Sequence, residues 1–423
     1  MCSFKMLNNY ICALDIGSSK IAGLVAEIKR KRINNIFFDW VPSKGIKQGV
    51  IVDSIELVGS VTKLMKNLRA KSGIKIKFLY TDISGQDILT KHSHAIVPLA
   101  ERGNKVITVS DMQKVNEQAR ILGSSLEEEI IHLIPSSYTI DSKSNIANPL
   151  GLYTHSLEVD LYLVLAKLSS VQGLSRAINQ SGYEIKNLFF SGLAASKVVF
   201  DKGTLREGLN LFCDIGSDTT ELLVFRDGVL CDIEILPIGG DDLTGRLCDA
   251  LKIPFDLAED IKRSHGIIGN PERIAEDKEI LIKKSNLYKP IKQRLVSEII
   301  TQSAESICSR IKDAVQKKVS SYEINNFVTV GRSVLLEGFI ETLENVLLVP
   351  IKLGRITNPD IPASIKEAPD LSGQKYLTYL TSLGMACEAL QDKTGESEAT
   401  SQPAKNLILK AVNRFREVYQ EYF

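Results

Sequence analysis

A chain of 423 residues is too long for one small domain and long enough to bury two sizeable cores, and 44% hydrophobic with 24% charged residues is an ordinary soluble balance. The formal net charge of +1 supplies no general field for nucleic acid or a lipid surface, so no nucleic-acid partner is expected and any membrane binding must come from a local segment. Seven cysteines without a CxxC pair, and five histidines that form no ligand set, leave neither a disulfide framework nor a zinc site to organise the chain.

The amino terminus lacks the pattern of a secretory signal, and no run of about 18 apolar residues offers a bilayer span. The first strong element is CALDIGSSKIAGLV, residues 12–25, in which an apolar strand enters Asp-Ile-Gly-Ser and a second apolar strand leaves. That pattern predicts a hairpin with a small-residue tip able to turn backbone N–H groups toward a phosphate. Gly17 lets the backbone approach closely, and Asp15, at the strand end, suits the water shell of Mg²⁺. The basic run Lys29 to Arg32 reads as the solvated end of the hairpin.

Residues 33–41 read as a third strand and 52–73 as an amphipathic helix with Ile55, Val58, Val61, Thr62 and Met65 on one face. A strand follows. Residues 84–166 then break the succession as a separate α/β module, with strands near 86–97, 129–140 and 157–166 and a helix from Ser110 to about Leu122, capped by Ser110 and Asp111. A helix from Ser169 to Gly182, a strand and the small-residue helix of LFFSGLAASKVVF (188–200) rebuild the first half.

The second half opens with FCDIGSDTTELLVF, residues 212–225, a repeat of the first hairpin 199 positions on (Asp214 against Asp15). Neither copy carries the GxxxxGK[ST] or GxGxxG spacing that opens a helix, because apolar alternation resumes after each glycine. LPIGGDDLTGRL (236–247) bends at Gly239 and Gly240 into a helix, a long helix closes near residue 317, and FVTVGRSVLLEGF (327–339) is a strand running into a turn. QDKTGESEATSQPA (391–404) reads as a flexible linker. In the terminal KNLILKAVNRFREVYQEYF, residues Leu407, Ile408, Val412, Phe415, Tyr419, Tyr422 and Phe423 form an apolar stripe flanked by basic side chains, the pattern of an interfacial amphipathic helix.

DIGSSKIAGLV and DIGSDTTELLVF resemble the two phosphate motifs of the actin and Hsp70 superfamily. PSKGIKQGVIVD (42–53), IIHLIPSSYTIDSKSNIANPLGL (130–152), LFFSGLAASKVVF and LPIGGDDLTGRL resemble, in the same order, segments of the FtsA family of bacterial cell-division proteins. The likeness runs from about residue 10 to 390 and implies an α/β, actin-like ATPase fold. Two related RNase H-like half-domains would carry an FtsA-type inserted subdomain and a C-terminal amphipathic helix.

On that resemblance the first half-domain comprises 1–83 and 167–208 around the insert at 84–166. The second comprises 209–242 and 321–390 around a smaller subdomain at 243–320, followed by the linker 391–404 and the membrane helix 405–423. ATP with Mg²⁺ would be held by Asp15, Gly17, Ser18, Ser19 and Lys20 of the first motif and by Asp214, Gly216, Ser217, Asp218 and Thr219 of the second. Gly239 and Gly240, Lys262 of AEDIKRSHG beside the adenosine, and Gly331, Arg332 and Ser333 of the adenosine motif complete the set; Asp15 and Asp214 would reach the metal through water. Arg332 replaces the usual second glycine, and Ser217 and Asp218 stand where relatives commonly carry glycines. No acid or amide accompanies Ser191, Gly192 and Leu193, where hydrolytic relatives orient the attacking water, so ATPase activity is expected to be weak at most. The resemblance implies polymerisation of the chain with itself, FtsZ as partner, later division proteins recruited through the insert, and a place on the inner face of the plasma membrane at the division site. A PilM-like component of type IV pilus assembly and, less favoured, a small-molecule kinase share the same core.

Overall fold

The computed structural model of the chain describes residues 10–100, 103–205, 207–284, 287–394 and 402–403. It divides into two compact units, Met1–Asp201 with Gly228–Asp232 and Ile356–Phe423, and Lys202–Asp227 with Ile233–Arg355.

In the first unit β1 (Tyr10–Ile16) and β2 (Lys20–Lys29) form the expected hairpin, buried along nearly their whole length, and β3 (Arg32–Pro42) continues it antiparallel. Such near-continuous apolar runs suit strands covered on both faces. Helix α1 (Ser54–Ser72) starts where Asp53 accepts the N–H groups of Ile55 and Glu56 at 2.9 and 3.1 Å, and ends at left-handed Gly73. Its buried face is Leu57, Val61, Leu64, Met65 and Leu68, whereas Ile55 is 83% exposed. Of the expected face, Val61 and Met65 are buried, but Ile55, Val58 and Thr62 turn away from the core, because the leucine stripe carries more apolar area per turn. Strand β4 (Phe78–Ile83) then lies parallel beside β1.

The insert consists of β5 (Ile88–Pro98), α2 (Val109–Gly123), β6 (Glu128–Ile140), β7 (Lys143–Ile146) and β8 (Ser156–Lys167), with strand order β7-β6-β8-β5. Helix α2 is capped by Thr108 rather than Ser110: Asp111 N–H donates to the Thr108 hydroxyl at 3.3 Å and the Asp111 carboxylate accepts Thr108 N–H at 3.0 Å. A threonine followed three residues later by an acid closes both ends of a capping box, which Ser110 could not do. Burial pushes the Asp111 carboxyl up, but the bonds from Thr108 and Lys105 outweigh it and hold the group down at about 2. Helix α3 (Leu168–Gln180), β9 (Glu184–Phe190) and α4 (Ser191–Val199) complete the parent sheet in the order β9-β4-β1-β2-β3.

The second unit repeats that sheet. β10 (Leu209–Ile215) and β11 (Thr220–Arg226) form the second hairpin and β12 (Val229–Leu236) follows. After α5 (Gly240–Leu251), α6 (Phe255–His265) and α7 (Gln293–Gln316), β13 (Ile324–Val330) enters parallel beside β10. Beyond α8 (Phe339–Leu347), β14 (Ile351–Leu353) adds parallel to β13. The order β14-β13-β10-β11-β12 matches β9-β4-β1-β2-β3 strand for strand. Leu211, Cys213, Leu222 and Val224 meet Leu243, Leu247, Val296, Ile300 and Ile307 of α5 and α7 in one core. Each such side chain contributes about 1.5–3 kcal/mol by leaving water.

The last described helix, Leu380–Thr394, belongs to the first unit and includes residues 391–394, the start of the stretch read as linker. The apolar stripe from Leu407 to Phe423 lies outside the described residues.

Candidate functional site

The two hairpins turn in the same way. Four residues separate the paired positions Ile16 and Ile21 in the first and Ile215 and Thr220 in the second. Gly17 N–H donates to Lys20 O at 3.0 Å, and Gly216 N–H to Thr219 O at 2.9 Å. The duplicated Asp-Ile-Gly-Ser thus forms one bend per unit, each at the end of a buried strand.

Side chains hold the first bend. The Lys20 ammonium donates to Asp15 Oδ2 and to Thr378 O, both at 2.9 Å, so the charge of a carboxylate only 8% exposed is balanced at the strand end. The Ser18 hydroxyl accepts Gly49 N–H at 3.4 Å, and Ser43 N–H donates to Ser19 O at 3.1 Å. Asp82, at the end of β4, lies beneath: its carboxylate accepts Ile16 N–H at 2.9 Å and the Ser191 hydroxyl at 2.5 Å. Burial first and the neighbouring Asp15 charge second push the Asp82 carboxyl up to about 7. A cavity of about 490 Å³ behind this bend is lined by Ile16, Asp82, Ser84, Asp87, Ser170 and Arg176 among others.

Backbone carries more of the second bend. The carbonyl of Gly216 accepts Gly240 N–H at 3.0 Å and the Ser333 hydroxyl at 2.9 Å, and Ser217 O accepts Asp241 N–H at 2.8 Å. Three stretches distant in sequence, 214–219, 239–241 and 331–333, are thereby brought together. Gly331 has φ +96°, and a Cβ there would sit 2.2 Å from Ile215 O and 2.8 Å from Asp214 Oδ1. Only glycine permits that approach.

Gly239 precedes α5, and the Asp242 carboxylate accepts its N–H at 2.7 Å. The ammonium of Lys262, 5% exposed, donates to Gly240 O at 2.8 Å and Thr244 Oγ1 at 2.7 Å and is paired with Glu259. Lys262 thus fixes the entry to α5 from within. Asp218 hydrogen-bonds the Asp241 carboxyl, which burial and then this neighbour push up to about 7.

Each bend, taken by itself, offers groups suited to magnesium-bound phosphate. Asp15 and Asp214 offer hard oxygens at the two strand ends, Lys20 offers a cation, and the amino-terminal end of α5 places its positive dipole end against the second bend. Asp82, Asp241 and Glu221 escaped the sequence reading. Glu221 is paired across the hairpin with Asp214, so both carboxylates stand on one face of the sheet. The expectation of no acid beside Ser191 is corrected: Asp82 arrives from a strand more than a hundred residues earlier, which no local motif could announce.

Residues 211–380 match the family described as "Cell division protein FtsA", and residues 85–165 match "SHS2 domain inserted in FTSA". The chain is similar to cell division protein FtsA of Pseudomonas aeruginosa, 23% identical over 96% of this chain and 97% of that one. It is also similar to the FtsA proteins of Borreliella burgdorferi, 27% identical over 82% and 85%, and Bacillus subtilis, 25% identical over 89% and 83%. Among solved structures, a PilM-PilN type IV pilus biogenesis complex superposes with a TM-score of 0.63 at 14% identity, covering 90% of this chain and 98% of that one. MreB5 of Spiroplasma citri bound to ADP gives 0.51 at 10% identity, covering 92% and 99%. Both place the fold among the actin-like proteins. With two FtsA-specific matches at residues 85–165 and 211–380, and relatives spanning nearly the whole length, the chain belongs to the FtsA family.

Proposed function

We propose that this chain is a cell-division protein of the FtsA type that binds ATP with Mg²⁺, assembles with copies of itself and tethers FtsZ filaments to the inner face of the plasma membrane during septum formation. The observation that supports nucleotide binding most directly is the convergence of Gly240 and Ser333 on the carbonyl of Gly216. It joins the second phosphate motif to the adenosine motif in one site. Asp15, Gly17, Ser18, Ser19 and Lys20 would hold phosphate at the first bend, and Asp214, Gly216, Ser217, Asp218 and Thr219 at the second. Gly239, Gly240, Lys262, Gly331, Arg332 and Ser333 would shape the nucleoside side. Bound Mg²⁺ would neutralise phosphate charge, with Asp15 and Asp214 orienting its waters. Binding of one nucleotide per chain would need residues of both motifs.

The attachment is assigned to residues 405–423, whose stripe from Leu407 and Ile408 through Val412, Phe415 and Tyr419 to Tyr422 and Phe423 has the character of an interfacial helix. A single such helix binds weakly, so copies arrayed along a polymer would bind together. The insert is the proposed contact for later division proteins. No described helix is long and apolar enough to cross a membrane. Co-sedimentation with vesicles containing anionic lipid tests the attachment: the full chain is expected in the pellet and a chain lacking 405–423 in the supernatant. Equal sedimentation of the two would remove the assignment.

A further inference from the structure

The duplication singles out one residue of the first unit. At matching positions in the two sheets, Thr81 donates its hydroxyl to Leu14 O and Thr329 donates to Cys213 O, each at 3.1 Å. One residue later the second unit carries Val330, an apolar side chain 1% exposed and paired with Asp214 in the parallel ladder. The first unit carries Asp82, 3% exposed, at the place of that valine. Burying a carboxyl costs several kcal/mol unless it gains partners, and the neighbouring sheet folds without one.

The partners Asp82 gains are specific. The parallel register between β1 and β4 ends at Leu14 and Thr81, and the Asp82 carboxylate then takes the N–H of Ile16, the last residue before Gly17. Its second oxygen takes the hydroxyl of Ser191, the first residue of α4, which also reaches Ile83 O at 3.3 Å. The same junction is gripped from the insert, where Phe190 N–H donates to Nε2 of His132, a wholly buried imidazole on β6, at 2.9 Å. Residues 190 and 191 are therefore fixed on one side by the inserted domain and on the other by the acid under the bend.

We propose that Asp82 is a positioning residue for the nucleotide, holding the bend at Ile16 and Gly17 at the angle that phosphate contact requires and locking it to the start of α4. This rests on the ATP reading given above. Groups that orient a ligand-holding element typically change affinity about 10–100-fold when removed, although they touch no ligand.

The test compares equilibrium binding of Mg-ATP and of AMP to the full chain and to Asp82→Asn and Asp82→Ala, with each protein's urea unfolding recorded alongside. Asparagine keeps an acceptor for Ile16 N–H and a polar partner for Ser191, so Asp82→Asn should bind Mg-ATP within about threefold of the wild type. Asp82→Ala should weaken Mg-ATP by about tenfold or more and leave AMP, which lacks the terminal phosphates, within about twofold. Equal Mg-ATP affinity in Asp82→Ala, or parallel losses for ATP and AMP, would overturn the proposal, since general damage spares no nucleotide. Should Asp82→Ala fail to fold, Ser191→Ala carries the same prediction at about threefold, and an unchanged ATP-to-AMP ratio there overturns it equally. A wild type that binds no Mg-ATP at all removes the ATP reading itself, which is a different result.

Discussion

The two bends have the same turn and end hairpins of sheets with the same strand order, but their supports differ in kind. Around Gly17 the support is ionic and side-chain based: Lys20 on Asp15, and Asp82 between Ile16 N–H and the Ser191 hydroxyl. Around Gly216 backbone contacts take a larger share, with Gly240 N–H joining the Ser333 hydroxyl on one carbonyl and Gly331 pressed beneath Asp214. A side-chain support can be altered while the strands stay packed, whereas a backbone support cannot be altered without moving the strands. Changes at the first bend should therefore separate affinity from stability, and changes to the close-packed glycines of the second should lose both together.

The largest effect expected is at Gly331. An alanine there meets Ile215 O at 2.2 Å and is forced to keep φ +96° or to push β13 away from β10. Left-handed strain and overpacking together amount to about 2–5 kcal/mol, so Gly331→Ala should unfold at markedly lower urea and lose Mg-ATP binding with it. A Gly331→Ala protein of wild-type stability would break the contrast between the bends.

A smaller effect sharpens the same contrast through pH. Each bend holds one raised carboxyl, Asp82 and Asp241, both pushed up to about 7, by burial first and a neighbouring acid second. Raised in the folded state above an ordinary 3.8, such a group binds its proton more tightly folded than unfolded. Its contribution to stability is thus full below about 4 and is lost as pH rises through about 7. Urea unfolding without nucleotide or metal should show Asp82→Asn gaining on the wild type across that window by on the order of 2 kcal/mol. Asp241→Asn should gain less, because Asp241 is only part-buried. A gap between Asp82→Asn and the wild type that stays constant from pH 4 to pH 8 would contradict the burial of an ionisable acid under the first bend.

Much of this arrangement was legible in the amino-acid sequence, for physical reasons. Asp-Ile-Gly-Ser between two apolar strands is a local signal: turn chemistry and alternation act over a dozen residues, and both hairpins follow from them. The small-residue helix after Phe190 and the glycine pair at 239 and 240 were legible in the same way. Three features were not. The buried face of α1 is only partly readable, because Val61 and Met65 fit both the expected stripe and the observed one, and the leucines decide between them. The cap of α2 was placed two residues late because the Thr108 and Asp111 pair precedes the first apolar turn. Asp82 was invisible because its partners lie 66 and 109 residues away, and only the folded sheet brings them together. Lys262 was assigned from a motif, and the structure adds that its ammonium is engaged with Gly240 O, Thr244 and Glu259, which makes it a support of the second bend as well.

Mg-ATP binding, one nucleotide per chain, is proposed to need residues of both motifs. Isothermal titration of the full chain with Mg-ATP, repeated on Asp15→Ala and Asp214→Ala with urea unfolding in parallel, tests it most directly. One nucleotide per chain is expected to bind, with affinity weakened by about 10–100-fold in either variant while each remains folded. Two nucleotides per chain, or an Asp15→Ala protein that binds Mg-ATP as the wild type does, would contradict it.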